Sequence, residues 1–345
     1  MTRTVYVGKI AIGGGNKIAV QSMTNTDSSD FDATFAQIRA LSDAGCDIVR
    51  LAVCNESDVE CSKKLIDRVN VPLVADIQFD YKLAIKCAEI GYSKIRFNPG
   101  NIGDESKVKK VIDACKNAHV PIRVGVNAGS LEKEIKNKYG VSATALVSSA
   151  MNHVKILEKY GFYDTIISVK ASDVSTCVKA YRMLNEECDY PLHIGITESG
   201  GGEPALLKST VGIGSLLLDG IGDTVRVSLS DDPVEEVLAA KKILRACGLI
   251  TDYCQIVSCP TCSRCKYDLI PIVREMQEYT KDVNKKLKIA IMGCVVNGPG
   301  EAEDADFGVA GGADKAVIFE KGKIVKTIHS SEILEELKKR VDKIR

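Results

Sequence analysis

The stretch that decides the fold is VPLVADIQFDYKLAIKCAEIGYSKIRFNPG, residues 71–100, in which two apolar runs flank a segment with helical periodicity. The runs, VPLVADIQF and SKIRFNPG, are short and rich in Val and Ile, which is typical of strands buried on both faces of a sheet. The segment between them, DYKLAIKCAEIG, ends in glycine, a common helix terminator. The stretch therefore predicts a β-strand, an α-helix and a second, parallel strand.

The same unit recurs through the first two thirds of the chain. Eight apolar runs alternate with helical segments, and the last helix, DDPVEEVLAAKKILRACG, ends near residue 248. This length matches a TIM (β/α)₈ barrel, which takes about 250 residues. A doubly wound open sheet is the competing architecture, but no GxGxxG motif follows the first strand. The sequence therefore favours an α/β fold with a TIM (β/α)₈ barrel over residues 1–248.

The repeat stops after that helix. A strand (YCQIVS), a cysteine-rich stretch, a helix through LIPIVREMQEYTKDVNKK, a strand (KIAIMG), a Gly/Pro loop, a hairpin (AVIFEKGKIVKTI) and a charged helix follow. A segment of this size falls within the usual range for a domain. We therefore expect a second, smaller α/β domain over residues 249–345.

The composition excludes several classes of partner. Lys+Arg and Asp+Glu number 46 each and aromatic residues make up 5%, which argues against a nucleic-acid partner. No stretch approaches the roughly 20 apolar residues that cross a bilayer, so no membrane partner is expected. The thirteen cysteines are mostly scattered through amphipathic patterns, which predicts buried thiols in a reducing, cytoplasmic compartment and no disulfide framework.

Charged and polar residues recur at the predicted carboxyl ends of the strands. In a barrel these ends converge on one face, and that face carries the chemistry. Five of the eight strands deliver a cation there. The candidates are Arg50, Asp76, Gln78, Arg96, Asn98, Arg123, Asn127, Lys170, Glu198, Arg226 and Ser228.

A single arginine in a strand commonly forms a salt bridge to a neighbouring helix. Five cations at equivalent positions are harder to explain in that way. Guanidinium groups bind phosphate oxygens through bidentate, charge-assisted hydrogen bonds. The pattern therefore predicts a compact, polyphosphorylated substrate.

A metal centre is predicted in SCPTCSRCK, residues 258–266, because CxxC followed by a further cysteine is a strong metal signal. Spacing leaves two completions open for Cys259 and Cys262. One uses Cys265, which we expect in the first turn of a helix that begins near Cys262. The other uses Cys294, at the end of a predicted strand, and Cys254 is a further candidate.

Cys294 opens the loop VVNGPGE, whose glycines and proline permit a sharp bend. Glu301 could thereby return towards the same centre. Three thiolates and one carboxylate are unusual for structural zinc, which is normally closed by Cys and His. That set better suits a [4Fe–4S] cluster with one distinct iron.

Together the motifs closely resemble the 4-hydroxy-3-methylbut-2-enyl diphosphate synthases, a family of the methylerythritol phosphate route to isoprenoids. They are QSMTNT, ADIQF, RFNPGN, RVGVNAGSL, HIGITESGG, GIGDTVRVSLS, CPTCSR and GCVVNGPGE. The resemblance implies reductive ring opening and dehydration of 2-C-methyl-D-erythritol 2,4-cyclodiphosphate. It also implies a TIM barrel followed by an iron–sulfur domain.

The resemblance also implies roles for individual residues. Glu198 would handle a proton or bind a hydroxyl group. Cluster ligands would be Cys259, Cys262, Cys294 and Glu301. Substrate contacts would be Arg50, Arg96, Arg123, Asn127, Lys170, Arg226 and Ser228, to which the strand-end pattern adds Asp76.

The family further implies partners. Reduced flavodoxin or ferredoxin would supply electrons, and the cluster domain of one chain would cap the barrel of its homodimer partner. Two residues depart from the family pattern: Gln78 stands where many members have His, and Cys265 is additional. Two rival interpretations remain. One is a redox-inactive barrel with a structural zinc domain, and the other is a barrel fused to a nucleic-acid-binding zinc module.

Overall fold

A computed structural model describes residues 1–102, 104–294, 300 and 302–345, without the side chain of Pro99. Within these ranges the chain divides into two compact units, Met1–Leu249 and Ile250–Arg345. No helix in the described part of the chain is both long enough and apolar enough to span a membrane.

The first unit begins with an antiparallel hairpin that the sequence patterns did not predict, formed by β1 (Val5–Val7) and β2 (Ile10–Ile12). Val5, Val7 and Ile12 are fully buried and pack against residues near the amino-terminal ends of the barrel strands, among them Ile48 and Ile166. The hairpin therefore covers that end of the barrel and leaves the carboxyl ends of the strands for a site.

The barrel consists of eight parallel strands in the order β8-β7-β6-β5-β4-β3-β10-β9. Ile167 bridges to Leu192, directly before β9, so the two ends of the sheet meet and the ring nearly closes. The predicted barrel is confirmed. The strands are β3 (Ala19–Met23), β4 (Ile48–Ala52), β5 (Leu73–Asp76), β6 (Lys94–Phe97), β7 (Ile122–Asn127), β8 (Thr165–Lys170), β9 (His193–Ile194) and β10 (Thr224–Val225).

Helices follow the strands along the chain. Several begin with an N-cap aspartate, such as Asp30, Asp80 or Asp173, which accepts a hydrogen bond from a backbone N–H of the first turn. The helices are α1 (Phe31–Asp43), α2 (Glu56–Ile66), α3 (Tyr81–Glu89), α4 (Pro99–Ile102), α5 (Glu105–Ala118), α6 (Lys133–Tyr139), α7 (Ala143–Lys159), α8 (Val174–Glu187), α9 (Gly202–Leu218) and α10 (Pro233–Ala246).

The second unit is a mixed sheet in the order β11-β12-β13-β14-β15, with parallel pairing from β11 to β13 and antiparallel pairing beyond. Leu269, Met276 and Leu337 of its helices pack against β12 in one apolar core. Its elements are β11 (Cys254–Ser258), α11 (Leu269–Tyr279), β12 (Leu287–Met292), β13 (Phe307–Gly311), β14 (Lys315–Glu320), β15 (Lys323–His329) and α12 (Ile333–Asp342).

Candidate active site

A polar cavity of about 240 Å³ lies at the carboxyl ends of the barrel strands. Five cationic side chains and one carboxylate line it among the described residues. Ser168 and Thr197 contribute hydroxyl groups, and Gln78 and Asn98 contribute amides. All eight residues predicted to contact the substrate lie around this cavity: Arg50, Asp76, Arg96, Arg123, Asn127, Lys170, Arg226 and Ser228.

Asp76, at the end of β5, orients two of the cations. Its carboxylate lies 2.7 Å from Nη1 of Arg96 and 3.5 Å from Nε of Arg50. Burial opposes ionisation of Asp76, but Arg50, Arg96 and Arg123 together lower its pKa. Asp76 is therefore a fixed anion that holds two guanidinium groups in place.

Arg226 is held from outside the barrel sheet by Glu236 of α10. Its Nη2 and Nε lie 3.1 Å and 3.2 Å from the two carboxylate oxygens. Glu236 also accepts hydrogen bonds from the hydroxyl group of Ser22, at 2.8 Å, and from the backbone N–H of Leu229, at 3.1 Å. One buried carboxylate thus ties a helix to two strand ends.

The deepest cations lack anionic partners. Arg123 is 1% exposed, and its Nε and Nη1 find no hydrogen-bond acceptor within the described ranges. Burial and the neighbouring cations lower the pKa values of Arg123 and Lys170 well below their usual range. For the same reasons the pKa of Arg50 falls to about 9. A bound anion would relieve both the desolvation and the repulsion.

A buried histidine holds Lys170. The Nζ atom of Lys170 lies 3.4 Å from Nε2 of His193, whose Nδ1 lies 3.1 Å from the hydroxyl oxygen of Thr224. Burial and the surrounding cations lower the pKa of His193 well below its usual value, so the ring is neutral. When Lys170 carries its proton, its ammonium group only donates, so Nε2 then accepts from Lys170 and Nδ1–H donates to Thr224.

A second lysine, Lys94 at the start of β6, is fully buried and donates to the amide oxygen of Gln21 at 3.1 Å. Burial, together with Arg123 and Arg50, lowers its pKa well below the ordinary lysine value. Lys94 does not line the cavity.

Two glycines make room for the cations. A Cβ atom on Gly125 would lie 2.8 Å from Nε of Arg96. A Cβ atom on Gly195 would lie 2.9 Å from Nζ of Lys170 and 2.4 Å from the carbonyl oxygen of Arg226. The glycines in VGVN and IGIT are therefore needed because cationic side chains cross the strands at these points.

Glu198 does not line the cavity. It is exposed, and its Oε1 lies 4.0 Å from the point that a Cβ on Gly129 would occupy, so it faces the segment that follows β7. Its backbone is left-handed, with φ of 53°. This conformation is uncommon for a residue other than glycine, and such strained residues cluster at functional sites.

In the second unit, two of the predicted cluster cysteines follow the carboxyl ends of two neighbouring parallel strands, and so lie at the same edge of the sheet. Cys259 directly follows β11, and Cys294 comes two residues after β12, the parallel neighbour of β11. The backbone N–H of Gly293 donates to Sγ of Cys259 at 3.1 Å. Such hydrogen bonds stabilise sulfur that carries negative charge, so this edge is chemically suited to thiolate ligands.

Cys262 and Cys265 lie in a turn, with the N–H of Cys265 donating to the carbonyl oxygen of Cys262 at 2.9 Å. The expectation that Cys265 falls in the first turn of a helix is wrong, because α11 begins only at Leu269. Cys262 is exposed, and its sulfur accepts from the backbone N–H of Arg264, which lowers the thiol pKa.

Among the described residues, no group of three or more His, Cys, Asp or Glu side chains stands ready to hold a metal ion. Glu301, the predicted fourth ligand, lies outside them. The structure therefore brings cysteines to one edge of the second unit but does not itself display a cluster.

Some residues of the site escaped the sequence patterns. Ser168 could have been found, since it precedes Lys170 by two residues on the same strand face. Glu236 carried no such signal, because it comes from a helix. His193 lies in a strand that the sequence predicted, but a single histidine in a buried strand is more commonly a packing residue of the core than part of a site.

The fold and the site define a class of protein: a (β/α)₈ barrel with a cation-lined mouth, followed by a smaller α/β unit that presents thiols. The family model described as the GcpE TIM-barrel domain matches residues 2–241, and that of the GcpE protein C-terminal domain matches residues 255–343. The chain belongs to the GcpE family.

Two curated relatives are named 4-hydroxy-3-methylbut-2-en-1-yl diphosphate synthase (flavodoxin). That of Caldanaerobacter subterraneus subsp. tengcongensis is 53% identical over 100% of this chain and 97% of its own length. That of an Exiguobacterium species is 51% identical over 100% of this chain and 92% of its own.

Among solved structures, N-acetylneuraminic acid synthetase from Leptospira borgpetersenii serovar Hardjo-bovis is similar, with a TM-score of 0.52 and 14% identity. The match covers 72% of this chain and 91% of that one. At this identity the likeness concerns the barrel fold alone.

Proposed function

We propose that this chain performs the reaction that names its relatives, the formation of 4-hydroxy-3-methylbut-2-en-1-yl diphosphate. The substrate is 2-C-methyl-D-erythritol 2,4-cyclodiphosphate, whose ring is opened reductively with loss of water at a cost of two electrons. The observation that carries the proposal is the cavity at the strand ends, where five cations face one carboxylate. A cyclic diphosphate supplies the missing negative charge in a compact form.

The cationic residues have different roles in substrate binding. Arg123 and Lys170 lie deepest, without a carboxylate partner, and neutralise the diphosphate. Arg96, fixed by Asp76, and Arg226, fixed by Glu236, present guanidinium groups that need no reorganisation when the substrate arrives. Their positive charge also stabilises the diphosphate oxygen that is released when the ring opens.

The uncharged polar residues and Glu198 interact with the carbon skeleton of the substrate and its hydroxyl groups. Asn127 and Ser228 line the cavity and hydrogen-bond the hydroxyl groups. Glu198 directly follows Thr197, which lines the cavity, and its carboxyl group assists the departure of a hydroxyl group as water. Its left-handed backbone directs the side chain towards the segment after β7.

Cys259, Cys262, Cys294 and Glu301 would hold a [4Fe–4S] cluster. When bound, this cluster supplies the two electrons that ring opening consumes. The thiols at the ends of β11 and β12, and the N–H group of Gly293 beside Cys259, support this assignment. The electron donor is reduced flavodoxin or a ferredoxin. The many free thiols are typical of a protein of the reducing cytoplasm.

One experiment tests both halves of the proposal. Anaerobically purified protein is expected to contain iron and acid-labile sulfide and to convert the cyclodiphosphate with reduced flavodoxin. Arg123→Ala should lose turnover while keeping its iron and sulfide. Arg182→Ala, an exposed arginine paired with Asp219, is the matched control and should retain turnover. Zinc without sulfide, or full activity in Arg123→Ala, would refute the proposal.

We propose further that the active enzyme is a homodimer in which the second unit of one chain caps the barrel of its partner. Arg123→Ala and Cys259→Ser each inactivate a different half of the site. If the halves come from different chains, mixing the two inactive variants restores activity in heterodimers. If each chain completes its own site, the mixture stays inactive.

A further inference from the structure

Cys265 is a thiol that the proposed function does not use, yet it lies beside Cys259. A Cβ atom built on Gly293 would lie 2.8 Å from Sγ of Cys265 and 3.4 Å from Sγ of Cys259. Both sulfur atoms therefore lie within 3.4 Å of one point. Because Gly293 has no side chain, no Cβ atom occupies that point.

The turn that carries Cys265 is fastened to β12. The hydroxyl group of Tyr267 donates to the carbonyl oxygen of Met292 at 3.0 Å, and Cys265 donates to the carbonyl oxygen of Tyr267 at 3.3 Å. Cys259 is held against the same strand end by the N–H of Gly293. Both thiols are thus fixed against one short piece of backbone, although they are six positions apart in the sequence.

Cys262 is placed differently. It is exposed, whereas Cys259 and Cys265 are both partly buried. Its sulfur is engaged by the backbone of its own turn, through the N–H of Arg264. Within the stretch 259–265, the two sulfurs nearest to the Cβ position of Gly293 are therefore those of Cys265 and Cys259.

We propose that Cys259 and Cys265 form a disulfide bond when the chain holds no cluster and meets a peroxide. The peroxide oxidises one thiol to a sulfenic acid and releases one water, and the second thiol displaces the sulfenic hydroxyl group as another water. Two thiols and one hydrogen peroxide thereby give one disulfide and two waters. The bond protects Cys259 from irreversible oxidation and blocks cluster insertion until a thiol reductant cleaves it.

The bond itself does not depend on the proposed function, whereas its effect on cluster insertion does. The test uses cluster-free, full-length protein, treated with hydrogen peroxide, alkylated and digested with trypsin without reduction. Cleavage after Arg264 separates Cys265 from Cys259 in the sequence. Mass spectrometry should then find the dipeptide Cys265–Lys266 bound to the peptide that ends at Arg264, with fragmentation assigning the bond to Cys259.

Two variants and a reductant complete the test. Cys262→Ser should keep the linked dipeptide, Cys259→Ser should lose it, and dithiothreitol should release it from the wild type. After peroxide and dithiothreitol, the wild type should regain its capacity for iron and sulfide, whereas Cys265→Ser should regain several-fold less. A dipeptide that is alkylated, or joined to Cys262 in the wild type, would overturn the proposal. That result would leave the turnover assay, and hence the proposed function, unaffected.

Discussion

Lys170 owes its position to a neutral histidine and a glycine. His193 accepts from its ammonium group, and Gly195 leaves the space through which its side chain passes. Both features arise because a charged side chain lies inside a closely packed barrel, where an unpaired charge is costly and an extra methyl group has no room. Neither residue needs to contact the substrate to affect its binding.

His193→Leu removes the only hydrogen-bond acceptor that the described residues offer Lys170. Hydrogen bonds to charged groups contribute about 1.5–3 kcal/mol, so kcat/KM should fall about tenfold or more, mainly through a higher KM. His193→Gln keeps an acceptor oxygen and should recover much of the loss. Steady-state kinetics check this. Equal losses in both variants would assign His193 a packing role only.

Gly293→Ala tests the region of the second unit where Cys259 and Cys265 lie against the end of β12. The added methyl group would lie 2.8 Å from Sγ and 3.0 Å from Cβ of Cys265, so the turn must move away from β12. We expect at least a several-fold loss of bound iron and sulfide. Gly214→Ala, where the nearest atom lies 3.9 Å away, serves as the control. Undiminished iron content in Gly293→Ala would show that the turn adjusts freely.

Helix α10 is part of the site because of Glu236, which joins Arg226, Ser22 and the backbone of Leu229. Glu236→Gln breaks a buried ion pair by removing one partner, a change that typically costs about 3 kcal/mol. Urea unfolding should show this loss, together with weaker substrate binding. The exposed pair of Arg182 and Asp219 is the comparison, where Asp219→Asn should cost about 0–1 kcal/mol. Equal effects would contradict the proposed link between helix and site.

The segment between β7 and α7 is tied down by Glu132, whose carboxylate lies 2.5 Å from Nε2 of His153 and accepts from the hydroxyl group of Ser149 at 2.7 Å. Partial burial raises its pKa, but the contact with His153 and the hydrogen bond from Ser149 outweigh burial and lower the pKa to about 2. A depressed carboxyl pKa stabilises the fold above the ordinary value, near 4.5, and this contribution is lost as the pH falls towards 2.

Glu132→Gln should therefore unfold at a lower temperature than the wild type at pH 6, and the difference should shrink as the pH falls below about 4.5. Thermal unfolding between pH 6 and pH 3 measures it. A difference that stays constant over this range would mean that the ionised carboxylate is not the stabilising group. Ser149→Ala, which removes the hydrogen bond from Ser149 but leaves the contact with His153, should show a smaller difference of the same sign.

Taken together, the strands of the barrel assemble more positive charge than the fold neutralises. Binding of an anion to the folded state should therefore stabilise the whole first unit by mass action. Inorganic pyrophosphate is expected to raise the Tm, by the equivalent of about 2.7 kcal/mol at one hundred times its Kd. Arg123→Gln should abolish most of this shift and Arg182→Gln should leave it intact. Equal shifts in the two variants would refute specific binding at the strand ends.

Much of this architecture was readable in the sequence. Alternation of apolar runs and amphipathic segments predicts the barrel. Because parallel strands end on one face, the sequence alone groups Arg50, Arg96 and Arg123. The hairpin β1–β2 was missed because its strands have only three residues each. The turn around Cys265 was misjudged as helix, since an apolar periodic segment follows it without a clear start signal.

The sequence by itself determined the order of strands and helices, the face on which the polar strand ends converge, and the family. Those properties depend on local periodicity and on residues close together along the chain. Only the tertiary structure decided which charged side chains form ion pairs and which have no partner of opposite charge among the described residues. Glu236 reaches Arg226 from a helix, His193 meets Lys170 across neighbouring strands, and Cys265 and Cys259 both lie against Gly293. Such contacts depend on packing between distant segments, which no pattern along one segment encodes.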